Sequence, residues 1–178
     1  MKIVNNKIWL YQGETAAPTC NMYTADGAPL VFPSQDSAGH DLSYTFAFTV
    51  KEDKFTQDVT FQLTGNMVLK TFADTEPTAY DGTLEQSQGE YVVPSGLIED
   101  VLYYDNNKTY FYIENDEVKL YESSITIDLP YSITHNLDAK RYYYEIVVYG
   151  KYAGGTQIAT KTMVIEPLDF TIIGSLSK

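Results

Sequence analysis

One stretch near the end of the chain, residues 142–150, constrains the fold more than any other. It reads Tyr-Tyr-Tyr-Glu-Ile-Val-Val-Tyr-Gly, so apolar or aromatic side chains point to both faces of an extended backbone. A strand that is apolar on one face and aromatic on both is typical of the middle of a sheet. Gly154-Gly155 then predicts a hairpin turn, after which residues 158–165 return as a neighbouring strand.

Further strands are predicted wherever apolar and polar residues alternate between turn residues. The clearest in the first half of the chain is residues 44–50, where Tyr, Phe, Phe and Val alternate with Thr, Ala and Thr. Residues 58–63 and 67–72 are predicted to form a hairpin across Thr64-Gly65-Asn66. The other predicted strands cover residues 8–14 (ending in a turn), 20–24 (before an Asp-Gly hairpin turn), 91–93, 97–104, 109–114, 118–121, 123–130 and 170–173.

Helix plays almost no part in the predicted fold. No stretch combines a helical period with caps, and the best candidates for a single helical turn are residues 96–104 and 131–137. Residues 73–88 lack an apolar period and are predicted to be an exposed loop. Many short strands separated by Gly, Asn, Asp and Pro turns predict an all-β chain folded as an antiparallel sandwich. Its 178 residues suit one domain, residues 1–178.

The charge and the hydropathy of the chain argue against two classes of partner, nucleic acid and membrane. With 24 acidic and 12 basic residues the formal net charge is −12, whereas nucleic-acid binding needs clustered Lys and Arg. No apolar run is long enough for a transmembrane helix, and the first residues do not resemble a signal peptide. We therefore expect no direct contact with nucleic acid or membrane. The lone cysteine allows no internal disulfide and favours assembly in a reducing cytoplasm.

No catalytic residue, cofactor or metal site is predicted. His40 and His135 lie in polar connections without metal-ligand spacing, which favours solvated loop histidines. Cys20 lies in a predicted strand, where a small buried hydrophobe is more common than a nucleophile. Residues 74–81 and 105–107 are rich in carboxylate and amide oxygens, and calcium is an alternative there. They lack the spacing of a calcium loop, and Asp and Asn are ordinary turn residues.

The 16 tyrosines are the most informative feature for function. Tyrosine combines a large apolar ring with a polar tip and is enriched where one protein contacts another. A subunit interface is favoured over a sugar-binding platform, because no convergent polar groups accompany the rings in the sequence. A hydrolase is the weakest alternative, since the carboxylates are scattered. The candidate interface residues are Tyr103, Tyr104, Tyr110, Tyr112, Tyr143, Tyr149 and Tyr152.

Three segments in this order carry a resemblance to a known family. They are Tyr-Gln-Gly-Glu-Thr at 11–15, Tyr-Thr-Phe-Ala-Phe-Thr-Val-Lys at 44–51, and a closing series made of Ser-Ile-Thr-Ile-Asp-Leu-Pro at 124–130, Leu137, Tyr-Tyr-Tyr-Glu-Ile at 142–146 and Thr-Lys-Thr-Met-Val-Ile at 160–165. Together they resemble the immunoglobulin-like module of tailed-phage virion proteins. The nearest case is the N-terminal domain of baseplate upper proteins and related tail, neck and head-decoration proteins.

The resemblance implies both a fold and a role. The fold would be an immunoglobulin-like sandwich, with residues 53–122 as an insertion or additional strands, because they exceed the family's usual connection. The role would be that of a non-enzymatic structural protein of the virion, in the tail or baseplate, the neck or the capsid surface. Its partners would be other virion proteins in a homo-oligomer or a mixed assembly, put together in the host cytoplasm. A carbohydrate-binding module using surface tyrosines is the alternative.

Overall fold

A computed structural model of the chain describes residues 1–4, 6–155 and 157–174. Strands make up 47% of the residues and helix 2%, so the prediction of an all-β chain is confirmed. The strands are β1 (Lys2–Val4), β2 (Lys7–Tyr11), β3 (Thr19–Asn21), β4 (Leu42–Lys51), β5 (Phe61–Asn66), β6 (Thr78–Ala79), β7 (Gln86–Ser87), β8 (Glu90–Tyr91), β9 (Tyr103–Tyr104), β10 (Tyr110–Glu114), β11 (Glu117–Leu120), β12 (Ser124–Thr126), β13 (Arg141–Tyr152) and β14 (Ile158–Ile173).

A single helical turn, α1 (Tyr131–Thr134), accompanies these strands at one of the two predicted places. Within the described ranges, no helix has the length and apolar character needed to cross a membrane.

The chain divides into two compact units. The first consists of Met1–Met22, Ser43–Val68 and Ser124–Lys178, and the second of Tyr23–Leu42 and Leu69–Ser123. The second unit therefore begins earlier in the chain than the predicted insertion at 53–122, and residues 53–68 belong to the first unit. The assignment of residues 1–178 to one domain stays a prediction.

The first unit is built on a six-stranded sheet with the order β1-β2-β14-β13-β4-β5. The strand that contains residues 142–150, β13, lies inside this sheet as predicted and pairs with β14 along most of its length. Two described strand pairings depart from the antiparallel prediction: in the second unit β6 runs parallel to β9, and in this sheet β14 runs parallel to β2. Parallel neighbours need a long crossover, and nearly the whole chain lies between these two strands.

The predicted strands at 158–165 and 170–173 form one continuous strand, β14. Pro167 falls within it and cannot donate a ladder hydrogen bond. The register shows how the strand continues, since Tyr144 pairs with Leu168 while Ile146 pairs with Ile165. The two residues between these positions of β14 therefore oppose a single residue of β13. This β-bulge takes up the proline without ending the strand.

A second, two-stranded sheet of β3 and β12 gives the first unit another layer. The predicted turn at Asp26-Gly27 is present, because the Thr24 N–H donates to the Ala28 carbonyl at 2.8 Å and Tyr23 forms an antiparallel bridge with Pro29. The strand before the turn, β3, pairs with β12. Cys20 and Ile125 pair across the two strands and are 0% and 3% exposed, because both pack into the core. The Cys20 Sγ atom lies 3.6 Å from the hydroxyl of Tyr144 in β13. The core of this unit therefore fills the space between its two sheets.

The predicted hairpin across Thr64-Gly65-Asn66 is wrong, because those three residues lie inside β5 and pair with β4. Gly65 is tolerated within the strand for a steric reason. A Cβ atom at position 65 would lie 2.8 Å from the ring of Phe46, so only glycine leaves room for that ring. The two strands of the real hairpin are β4 and β5.

The second unit contains a four-stranded sheet with the order β11-β10-β9-β6. Asn115 and Asp116 have φ angles of 51° and 58° and join β10 to β11, a combination that suits a tight hairpin turn. The predicted strand at 97–104 is reduced to β9, and the predicted loop at 73–88 contains the short strands β6 and β7. Two buried clusters stabilise the unit: Phe72, Leu102 and Tyr121 in one, and Tyr103, Phe111 and Ile113 in the other.

Candidate interaction surface

The two faces of the six-stranded sheet have different surroundings. Side chains alternate between faces along each strand, so Tyr142, Tyr144 and Ile146 of β13 point into the core, where they are at most 2% exposed. Tyr143 and Tyr149 point to the opposite side and are half-buried. We call this second side the open face.

Two ion pairs show which side chains of the neighbouring strands lie on the open face. One pair lies on each side of β13. The Lys51 ammonium group lies 3.0 Å from the Glu145 carboxylate and joins β4 to β13, while Lys7 and Asp169 lie 3.6 Å apart and join β2 to β14. By strand alternation and register, Trp9, Tyr11 and Tyr143 share the face that carries these pairs. The open face therefore presents aromatic rings between paired charges.

Sequence analysis missed two of these aromatic residues, Trp9 and Tyr11. Trp9 is half-buried and Tyr11 is 40% exposed. Their spacing of two residues within one strand was the available signal, because it places both side chains on the same face.

A cleft of about 530 Å³ lies at one side of the open face. Its polar lining consists of Thr45, Gln62, Thr64, Asn66, Tyr149 and Lys151. The Gln62 side-chain amide donates to the Thr49 hydroxyl at 2.8 Å, which orients it on this face of the sheet. The Lys161 ammonium group lies 6.0 Å from the centre of the Tyr149 ring. The cleft thus supplies convergent polar groups beside a ring, which the sequence did not reveal because residues 64–66 were predicted to be a turn.

Four of the seven predicted interface tyrosines belong to the second unit and lie close to its core. Tyr103 is 5% exposed and stacks on Phe111, with ring centres 5.7 Å apart, so it offers little surface to a partner. Tyr112 is half-buried and meets Phe72 edge-on at 5.5 Å.

Tyr104 and Tyr110 pair across β9 and β10, with ring centres 6.0 Å apart. Both are half-buried, and the Lys108 ammonium group lies 4.2 Å from the centre of the Tyr104 ring. Burial raises the pKa of the Tyr110 hydroxyl, and the nearby Asp26 carboxylate acts in the same direction.

The other three predicted tyrosines belong to the first unit. Tyr143 and Tyr149 are on the open face, six residues apart along β13. Tyr152 is half-buried at the end of the same strand, where its N–H donates to the Gln157 carbonyl at 3.3 Å. The structure therefore brings two of the seven residues, Tyr143 and Tyr149, onto one face, together with Trp9 and Tyr11.

The histidines and the cysteine have the surroundings predicted for them. His40 is exposed, and its Nδ1 atom lies 3.0 Å from the Asp36 carboxylate. His135 is also exposed and stacks on Tyr131 at 4.8 Å. Cys20 is fully buried, and burial raises the pKa of its thiol, which opposes formation of the reactive thiolate.

The oxygen-rich turn at 105–107 uses its carboxylate within the turn itself. Asp105 is 2% exposed. One of its oxygens accepts the N–H groups of Asn107 and Thr109, each at 2.9 Å, and the other accepts the N–H of Leu84 at 3.1 Å. The carboxylate therefore holds the β9–β10 connection and a neighbouring loop together.

Among residues 1–4, 6–155 and 157–174, no group of three or more His, Cys, Asp and Glu side chains could hold a metal ion. Comparison with protein-family models, with curated proteins and with solved structures finds no match. The functional argument therefore rests on the open face, its cleft and the edges of the sheet.

Proposed function

We propose that the chain is a non-enzymatic structural component of a tailed-phage virion, with an immunoglobulin-like sandwich as its first unit. In the host cytoplasm it would assemble with other virion proteins in the tail or baseplate, the neck or the capsid surface. The open face carries this proposal. A sheet that presents Trp9, Tyr11, Tyr143 and Tyr149 on one face, with Tyr11 40% exposed, has the aromatic composition typical of protein interfaces.

Two further features support the immunoglobulin-like assignment. The first unit has two layers with a shared core, as expected of a sandwich. The segments that resemble the phage module lie mainly in that unit: residues 44–51 form most of β4, and residues 142–146 lie in β13.

The proposed location is tested by analysing purified phage particles from the source of this sequence. We expect peptides of the chain in density-purified particles at a constant ratio to the major capsid protein. If capsid and tail proteins are found in the particles and this chain is not, the virion assignment is wrong.

The open face is tested by placing a charge within it. The amount of a Tyr149→Glu variant in particles is expected to be about tenfold lower than that of wild type. Loss of an aromatic anchor typically weakens the affinity of an interface by about tenfold or more. The matched control is Tyr23→Glu, since Tyr23 belongs to the second unit and is 55% exposed. Quantitative mass spectrometry of particles gives the readout, and equal incorporation of both variants would contradict a role for this face.

A carbohydrate-binding module is the second candidate function, and the cleft favours it. Hydroxyl and amide side chains bind sugar hydroxyls, while an aromatic ring packs on the apolar face of a sugar. The volume of about 530 Å³ is in the range of small-ligand sites. Thr45, Asn66 and Tyr149 provide these groups together in the cleft.

If the cleft binds sugars, a glycan array probed with the purified chain would give a signal that Tyr149→Ala abolishes. Tyr143→Ala would preserve the signal, because Tyr143 lies on the same face outside the residues that line the cleft. No binding to any glycan, or equal loss from both variants, would argue against this candidate.

A further inference from the structure

The outer strand of the six-stranded sheet, β5, has an edge that its own sheet does not cover. Among the described strands it is last in the sheet order and pairs with β4 alone. The Met67 N–H donates to the Tyr44 carbonyl at 2.9 Å, so the backbone groups of odd-numbered residues here point toward β4. By alternation, those of Gln62, Thr64 and Asn66 point outward. These three residues are also exposed.

Two of the devices that protect an edge strand, charge and proline, are missing from β5. Natural edge strands carry lysines or other charges, or proline, which block pairing with another chain. The sequence of β5, Phe-Gln-Leu-Thr-Gly-Asn, has none of these although the chain as a whole has a net charge of −12. A six-residue uncharged edge is therefore suited to pairing with a further strand.

The side chains of this segment have a symmetry that selects the partner. Counted outward from Thr64, the neighbours are Leu63 and Gly65, then the amides Gln62 and Asn66, then the apolar pair Phe61 and Met67. If two copies of β5 paired antiparallel about Thr64, each amide would face an amide and each apolar side chain an apolar one. The large Leu63 would face Gly65 and lie beside the Phe46 ring that packs over this glycine.

We propose that two copies of this chain associate through their β5 edges, antiparallel about a two-fold axis at Thr64. Each outward N–H and C=O of Gln62, Thr64 and Asn66 then finds a partner on the other copy, because Gln62 pairs with Asn66 and Thr64 with itself. Two six-stranded sheets become one continuous sheet. This inference rests on the proposed assembly role and gives it a specific contact between identical subunits.

Disulfide trapping tests both the contact and its register. In the paired edges the two Thr64 Cα atoms would be about 5.5 Å apart, within the range that a disulfide spans. Two Gln62 residues would be about four strand positions apart, or about 13 Å, which a disulfide cannot span. The native Cys20 is 0% exposed and does not compete. The experiment uses the purified full chain carrying Thr64→Cys, Gln62→Cys or Asn66→Cys under mild oxidation.

We expect Thr64→Cys to form a covalent dimer at least about tenfold faster than Gln62→Cys or Asn66→Cys alone, since only its Cα spacing suits a disulfide. A mixture of Gln62→Cys and Asn66→Cys should form the mixed dimer faster than either forms its own. Equal rates for the three single variants would reveal random collision and overturn the proposal. Failure of Thr64→Cys to dimerise would also overturn the proposal. In that case a strand of another protein would be the partner of the β5 edge. Neither of these outcomes would change whether the chain is found in phage particles. The failure of this contact can therefore be told apart from the failure of the proposed function.

Discussion

Replacing Phe48 with alanine is expected to lower the free energy of unfolding by about 3–5 kcal/mol. Phe48 is 0% exposed, and its ring centre lies 5.2 Å from that of Tyr144, 6.0 Å from that of Phe61 and 6.1 Å from that of Phe170. Alanine would remove a ring from the centre of this cluster and leave a cavity that the paired strands of the sheet cannot close. Urea denaturation followed by circular dichroism measures the loss.

The control for this substitution is Phe55→Ala. Phe55 is 84% exposed, so its replacement is expected to change the free energy of unfolding by less than about 0.5 kcal/mol. A comparable loss from both variants would mean that the core of the first unit is not organised around the Phe48 cluster.

Replacing Asp105 with asparagine is expected to destabilise the second unit by about 2–4 kcal/mol, because hydrogen bonds to a buried charged acceptor are among the stronger ones. Three backbone N–H groups donate to the two carboxylate oxygens. Asparagine keeps one acceptor oxygen, and its NH₂ group would face an N–H donor. Hydrogen exchange at Leu84, Asn107 and Thr109 reports on this unit directly, and exchange there should accelerate.

The same site predicts a dependence on pH. Burial alone raises the pKa of the Asp105 carboxyl, but the N–H groups of Thr109, Leu84 and Asn107 outweigh it, and the pKa is lowered from its ordinary value of 3.8. A group whose pKa is lower in the folded state stabilises the fold above its unfolded pKa. That stabilisation is lost as the pH falls below 3.8 and through the folded-state pKa.

The acid dependence should therefore be weaker in Asp105→Asn and unchanged in Asp81→Asn, an exposed aspartate of the same unit. Thermal melts from about pH 2 to about pH 6, a range that brackets the ordinary aspartate pKa, provide the measurement. If Asp105→Asn melts with the same pH profile as wild type, the carboxylate does not hold this turn.

The parts of the fold that the sequence predicted are those set by local pattern. The alternation in residues 142–150 located β13 inside the sheet, and Asp105 with the residues after it formed the predicted turn. Errors arose where a distant contact decided the local structure. Gly65 resembles a turn residue until the Phe46 ring packs over it, and Pro167 resembles a strand end until a bulge in β14 absorbs it.

The candidate surface was predicted less completely, for a related reason. Alternation assigns Tyr142 and Tyr143 to opposite faces of β13 but does not tell which face another layer will cover. The second layer, β3 and β12, joins segments about a hundred residues apart in the chain, and no local pattern shows that pairing. Tyr103 was grouped with the interface residues for the same reason, since only the packing of Phe111 against it shows that it is core.

The parallel pairing of β2 with β14 has a mechanical consequence. Four residue pairs, from Ile8–Phe170 to Tyr11–Ile173, join the first long strand of the chain to the last. A pull on the residues before β2, opposed by a pull on those after β14, would load this pair along its length. The hydrogen bonds would then share the force in shear instead of opening one after another. β1 meets β2 as an antiparallel hairpin and would peel away first, leaving the parallel pair to resist the tension.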